Sequence, residues 1–237
     1  MNKKNLQNGF TIIEMTLSMV FLSILLIAIL TLTIASGKMY VKGNTTQTVN
    51  QSSRDFSDAI RRDFLATGVG TISQAIKVSG GGATLYSGRI CLGTVTYLWN
   101  SADLINATTT AANAAKVKFN GQPIVFARIT NPKQAYCDRD VNGRYPVVVA
   151  SNEEVVDMFG GEGKDFALYA MDFTPIAVDG EAALYHVTYT LGTNQAQTTQ
   201  ASADGFIQCK PNNVLTADFN YCSVNDFDMI VRVGGAM

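Results

Sequence analysis

Between Glu14 and Lys38 the chain carries no charged residue. That stretch, from Met15 to Gly37, is long enough to matter: about 20 apolar residues in a helix cross the roughly 30 Å hydrocarbon core of a bilayer. Its hydroxyl residues, Ser18, Ser23, Thr31 and Thr33, are compatible with such a helix because each can bond back to a carbonyl of the preceding turn. No proline interrupts it, so nothing forces a sharp kink. The segment therefore demands an apolar environment, and the rest of the chain must build its own core. Composition agrees with this division. Charged residues make up only 16% of the 237-residue chain, against a usual share of roughly 25%, and the apolar surplus sits near the N-terminus. The net charge of -1 gives no basic excess for binding nucleic acid through counterion release, and no nucleic-acid site is expected.

Lys3 and Lys4, with no acid before Glu14, favour a cytoplasmic N-terminus. Lys38 and Lys42 on the other side weaken that bias, although a large domain translocates regardless of such charges. A secretory signal has a short apolar region followed by a small-residue cleavage site. Here the order is reversed. The polar, basic part is Met1–Gly9 and the apolar run follows it directly. Ala28 and Ala35-Ser36-Gly37 offer small residues for conventional cleavage, but the run is too long for an ordinary signal. A plain signal anchor is the simpler alternative, and Glu14 is what it leaves unexplained. An acid about one turn into an apolar helix costs on the order of 2.5–3.5 kcal/mol at mid-bilayer, so it requires a partner or a place at the headgroup level.

The run Gly9-Phe10-Thr11-Ile12-Ile13-Glu14, followed by an uncharged helix, resembles the prepilin motif of type IV pilins and type II secretion pseudopilins, over Met1 to about Ser36. The resemblance implies cleavage between Gly9 and Phe10 by a prepilin peptidase and N-methylation of the new Phe10 amine. It also implies that Glu14 pairs with that amine on a neighbouring subunit. The pairing is physically sensible: opposite charges in a low dielectric favour their ionised forms, and an unpaired buried charge is strongly destabilising. The partners implied are other pilin subunits, the peptidase, the pilus assembly machinery and, before assembly, membrane lipid. The implied location is the inner (cytoplasmic) membrane, crossed once, with the globular part extracytoplasmic and a cell-surface filament after assembly. Ser53–Asp63 is similar to the corresponding helix of J- and W-type minor subunits, so a minor pilin is expected, with adhesion, twitching or DNA uptake as its possible roles. The alternatives are a type II secretion pseudopilin and a membrane-anchored surface adhesin or enzyme that never enters a filament.

Beyond the apolar span the helix is expected to continue to about Ala66. Val49, Phe56, Ile60 and Phe64 recur at spacings of seven and four, a helical stripe. Arg54, Asp58 and Arg62 are placed to pair along the opposite face, and Arg54–Asp63 reads as a solvated face. Gly68, Gly70 and Gly80-Gly81-Gly82 mark the end of the helix and a connection. Strand-like runs follow at Arg89–Trp99, Asp165–Val178, Ala182–Leu191 and Phe227–Val233, the last alternating with Phe227, Met229, Val231 and Val233 on one face and Asp228, Ile230 and Arg232 on the other. Ser101–Ala115 has little pattern and reads as a loop. Asn120-Gly121, between Lys116–Phe119 and Pro123–Thr130, signals a hairpin. Ser151 with Glu154 fits a capping box for a short helix over 152–159 ending at Gly160-Gly161. The expected fold is α+β, a long N-terminal helix laid on a mostly antiparallel sheet. Its expected parts are a leader (1–9), a transmembrane or filament-core helix (10–37), its amphipathic continuation (38–67) and an extracytoplasmic β-rich domain (68–237).

Cys91, Cys137, Cys209 and Cys222 all lie in the exported part, where an even count points to disulfides. Three connectivities are possible. Cys209–Cys222 is favoured because it closes a short loop containing Pro211-Asn212-Asn213, which leaves Cys91–Cys137. A C-terminal disulfide-bonded loop also resembles pilins. No Cys-x-x-Cys spacing suggests zinc. Asp138-Arg139-Asp140-Val141-Asn142-Gly143 matches the first half of a calcium loop, making Asp138, Asp140 and Asn142 a calcium candidate. However, Val149 stands where the twelfth-position acid is required, and an Asn-Gly turn is preferred. No cofactor is otherwise expected. His186, the only histidine, alternates with Thr188 and Thr190 on a strand face opposite Tyr185, Val187, Tyr189 and Leu191. Trp99, Tyr97 and Tyr221 read as core. Asn44-Thr45-Thr46 and Asn106-Ala107-Thr108 match a glycosylation acceptor pattern that is common by chance. No serine elbow, phosphate loop or nucleophile triad occurs, and the chain is expected not to be an enzyme.

Overall fold

A single helix, α1 (Ile12–Leu65), dominates the computed structural model of the chain. The structure describes residues 11–68, 71–79, 82–159, 166–179, 182–194, 199–201, 207–211 and 221–234. After α1 come β1 (Ile72–Ser79), β2 (Tyr86–Leu92), β3 (Val95–Asn100), the short helices α2 (Ala102–Asn106) and α3 (Thr110–Ala115), β4 (Lys118–Phe119), β5 (Gln122–Pro123), β6 (Phe126–Thr130), β7 (Val148–Val149), β8 (Glu154–Asp157), β9 (Phe166–Asp179), β10 (Ala182–Thr193), β11 (Thr199–Ala201), β12 (Ile207–Cys209) and β13 (Val224–Arg232).

Two antiparallel sheets clasp the second half of α1. One runs β1-β2-β3-β6-β8 and the other β13-β10-β9. The fold is α+β, a long helix packed on sheets. The expected stripe is the one that packs: Val49, Phe56, Ile60 and Phe64 are fully buried. They meet Ile90, Tyr97, Trp99 and Phe126 of the first sheet and Leu168, Phe173, Val187, Tyr189 and Val231 of the second. Phe56 lies at the centre, with ring centroids 4.8 Å from Phe126, 4.8 Å from Tyr189 and 5.0 Å from Phe159. The contacts with Phe126 and Tyr189 are edge-on, an arrangement that adds to the burial itself. Hydrogen bonds fix the register. Tyr189 Oη lies 2.6 Å from Ser53 Oγ and 3.0 Å from Ser57 Oγ, and Asn225 Nδ2 donates to Asn50 Oδ1 at 2.9 Å.

The first sheet is covered on its other face too. Leu98, Ala127 and Ile129 point there and pack with Val117, Ile124, Tyr136 and Val149. That layer includes the three-stranded sheet β5-β4-β7. Asn120 and Gly121, at φ 50° and 80°, make the tight turn between β4 and β5 that their identity suggests. On β13 the expected alternation holds: Met229, Val231 and Val233 are buried, while Asp228, Ile230 and Arg232 are exposed.

Tertiary context overrides the local reading in four places. Arg89–Trp99 is not one strand but the β2–β3 hairpin, turned at Gly93 (φ 73°), with Ile90 opposite Tyr97. Ser101–Ala115 is not a loop: Ser101 and Thr109 each cap a short helix by accepting the N–H of the residue three further on, Leu104 and Ala112. Ser151 and Glu154 form no capping box. Glu154–Asp157 instead extends the first sheet by pairing with β6, Val155 opposite Ile129, because an open sheet edge offers a full row of backbone partners. Glu153, not Glu154, anchors the approach to this strand, accepting the Lys133 N–H at 2.9 Å. Finally, Asp63 does not belong to the solvated face of α1. It turns onto the first sheet and takes a two-pronged bond from Arg128, Nε to Oδ2 at 2.7 Å and Nη2 to Oδ1 at 2.8 Å, while the Tyr97 hydroxyl also donates to Oδ2.

Candidate functional site

The N-terminal half of α1 is a helix without an intramolecular partner among the described residues. Every residue from 11 to 40 is exposed. Large apolar side chains from Ile12 (86%) to Leu25 (43%) stand open. An 18-residue window of the helix reaches a mean hydropathy of 2.7, so it is long and apolar enough to cross a membrane. Its polar groups close on the helix itself. Ser18 donates to the Glu14 carbonyl at 2.8 Å, Ser23 to Met19 at 2.8 Å, Thr31 to Ala28 at 2.9 Å and Thr33 to Ile29 at 2.8 Å. The side surface therefore offers few unsatisfied donors or acceptors to an apolar neighbour.

Glu14 lies in the first turn. Thr11 is the N-cap, in extended conformation (φ −79°, ψ 151°), and its Oγ1 accepts the Glu14 N–H at 3.3 Å. The same hydroxyl reaches Glu14 Oε2 at 3.5 Å. A carboxylate at this end also faces the positive pole of the helix dipole. The carboxylate is exposed, placed where another chain can meet it. Gly9 and Phe10, expected to flank the cleavage site and to carry the methylated amine, lie outside the described residues.

Away from that end α1 is tied down, at its C-terminus and near its middle, by the residues that flank β13. Gly234 N–H donates to the Phe64 carbonyl at 3.1 Å, and Lys42 Nζ donates to the Cys222 carbonyl. Burial lowers the Lys42 ammonium below its ordinary value. Disulfides join Cys91 to Cys137 and Cys209 to Cys222, the pairing favoured from the loop chemistry. Cys91–Cys137 secures the segment after β6 to the first sheet. Asn212 and Asn213 of the other loop lie outside the described residues.

The remaining candidates separate in the structure. In the calcium-like segment, Asp140 Oδ1 accepts the N–H groups of Asn142 and Arg144, each at 2.8 Å, and Gly143 takes φ 73°. The Arg144 backbone bond holds the Asp140 carboxyl below its ordinary value. The segment is thus an aspartate-anchored turn. Among the described residues no group of three or more His, Cys, Asp or Glu is arranged to hold a metal. His186 is on the outer sheet face as expected, bonded across the strands to Asp228. Trp99 and Tyr97 are core, whereas Tyr221 is half exposed. Asn44 is exposed on α1, and Asn106 bonds Asn194 at 3.0 Å.

Two groups gave no sequence signal. Arg89 is fully buried, donating from Nη1 to the carbonyls of Tyr136 (3.1 Å) and Pro146 (2.9 Å). Burial lowers its guanidinium below the ordinary value. The Asp63–Arg128–Tyr97 cluster is the other. Its residues are remote in sequence, so no spacing links them. Comparisons with models of known families, with curated proteins and with solved structures find no match for this chain.

Proposed function

We propose that this chain is a structural subunit of a type IV pilus-like filament, cut between Gly9 and Phe10 and assembled through its N-terminal helix. The observation that carries the reading is the division of α1. Its second half packs one face against two sheets, while its first half keeps an apolar surface with one acid, Glu14, in the first turn. An anchor needs the apolar length; it does not need Glu14. A filament core needs both, because each helix must cover its neighbours and each buried carboxylate must meet a cation. In this reading the helix lies in the membrane before assembly, and the β-rich part stands outside it as the surface of the filament. A minor subunit is the preferred form, on the similarity of Ser53–Asp63. No catalysis is assigned to it.

Mass spectrometry of the membrane-bound form tests the proposal. The expected mature N-terminus is N-methyl-Phe10. An intact Met1 on the assembled form overturns it. Glu14→Ala is expected to abolish incorporation into filaments while leaving the outer domain folded; unchanged incorporation would overturn assembly through Glu14, and a chain found only in the membrane, with no filament form, would leave the membrane-anchored alternative.

A further inference from the structure

A second site lies on the outer domain, away from the apolar helix. Between β1, α3 and the segment after Cys137 there is a pocket of about 750 Å³, within the range of small-molecule sites. Its charged lining residues are Lys77, Arg139 and Arg144, and no Asp or Glu lines it. None of the three cations forms a salt bridge among the described residues. In a chain of net charge -1, three cations line one concavity that no carboxylate lines, with Lys77 shared with the neighbouring pocket, where it lies over the Tyr86 ring.

The pocket is also built. The aspartate-anchored turn fixes the backbone that carries Arg139 and Arg144, with Asp140 N–H donating to the Arg144 carbonyl at 2.7 Å. The Cys91–Cys137 disulfide holds the entry to that turn. Tyr145 forms part of the pocket wall, and two guanidinium groups pack on its ring, Arg139 at 5.1 Å and Arg89 at 4.6 Å from the centroid. Arg89 is fully buried, and its Nε and Nη2 have no hydrogen-bond partner among the described residues. A buried cation with unpaired donors and no carboxylate costs stability, and an anion beside Tyr145 would offset that cost through the low-dielectric wall. The segment that resembles half a calcium loop thus uses Asp140 to hold its own turn and presents Arg139 and Arg144 to the pocket.

We propose that this pocket binds a small ligand bearing a phosphate or sulfate group. Arg139 and Arg144 supply planar forks suited to oxyanions, and Lys77 adds a third charge. The Tyr145 ring and the wall of Ala111, Ala114 and Ala115 contact the ligand's carbon frame. The charges converge on one pocket and do not run as a stripe, which favours a compact ligand over a nucleic-acid backbone.

The test is calorimetric titration of the full chain in uncharged detergent at low salt. The probes are inorganic phosphate, inorganic sulfate, a sulfated disaccharide and its desulfated counterpart. Both inorganic anions and the sulfated sugar are expected to bind, and the desulfated sugar not to bind. Tighter binding of the sulfated sugar than of inorganic sulfate identifies a ring-bearing ligand; equal binding identifies the free anion. Arg139→Gln with Arg144→Gln should weaken binding about tenfold, roughly threefold per surface charge. Both side chains are exposed, so the fold should persist by circular dichroism. Arg54→Gln, on the exposed face of α1, should change nothing. No binding by any anion, an equal loss in Arg54→Gln, or a short DNA duplex outcompeting all probes with a steep salt dependence would overturn the proposal.

Discussion

Asp63 follows two arginines that face water, yet its carboxylate turns inward to bind Arg128 and Tyr97. The bond to Asp63 raises the Arg128 guanidinium above its ordinary value. Its side chain is only 11% exposed and that of Arg128 26%, so the pair is screened less than a surface bridge. Asp63→Asn should therefore cost about 2–3 kcal/mol in urea unfolding, because it leaves a partly buried guanidinium without its counter-charge. Adding Arg128→Met should recover part of that loss, a coupling that a double-mutant cycle reads directly. Gly234 is the second residue whose identity is fixed by its surroundings. A Cβ there would come within 2.1 Å of the Leu65 carbonyl oxygen. Gly234→Ala should lower the unfolding midpoint, at a cost of about 1–3 kcal/mol, as the strand is pushed off the end of α1.

At the level of elements, the long helix is two structures in one. From Val49 onward it supplies a wall of the core, and before residue 41 it supplies only surface. The disulfides act on the other elements. Cys91–Cys137 spans 46 residues and Cys209–Cys222 spans 13. In the chain-entropy picture these closures are worth about 4 and about 3 kcal/mol. Replacing Cys91 and Cys137 with Ser should thus lower thermal stability more than replacing Cys209 and Cys222. Cys91 also packs against the second core layer, which adds to the difference. Comparing the melting temperatures of the two double variants checks the order.

The whole molecule should respond to alkali through its aromatic core. Burial raises the phenols of Tyr86, Tyr97, Tyr136 and Tyr189 above their ordinary value of 10.0. Above that pH the unfolded chain releases protons that the folded chain retains, so the unfolded state binds fewer protons and stability falls as pH rises. Tyr185 is raised in the same way, whereas Arg89, Lys42 and Lys116, lowered chiefly by burial, pull the other way, three groups against five. Urea midpoints at rising pH should fall beyond about pH 10, with tyrosinate absorbance at those sites appearing only on unfolding.

Much was legible in the sequence because it is written in periodic or local chemistry. The uncharged run from Met15 to Gly37, the stripe of Val49, Phe56, Ile60 and Phe64, the alternation on β13 and the Asn120-Gly121 turn each rest on neighbours a few residues apart. Glu14 stands out by the same logic, as a charge in an apolar run. What local chemistry could not settle was decided by partners far along the chain. Glu154–Asp157 is a strand because β6 leaves an edge open to it. Asp63 is inward because Arg128 waits there, and Arg89 is buried beneath Tyr145. Which segments seek an apolar environment follows from local order alone, because hydrophobic periodicity is a property of nearby residues. Which charges face one another follows from the fold, because long-range packing, not spacing, brings them together.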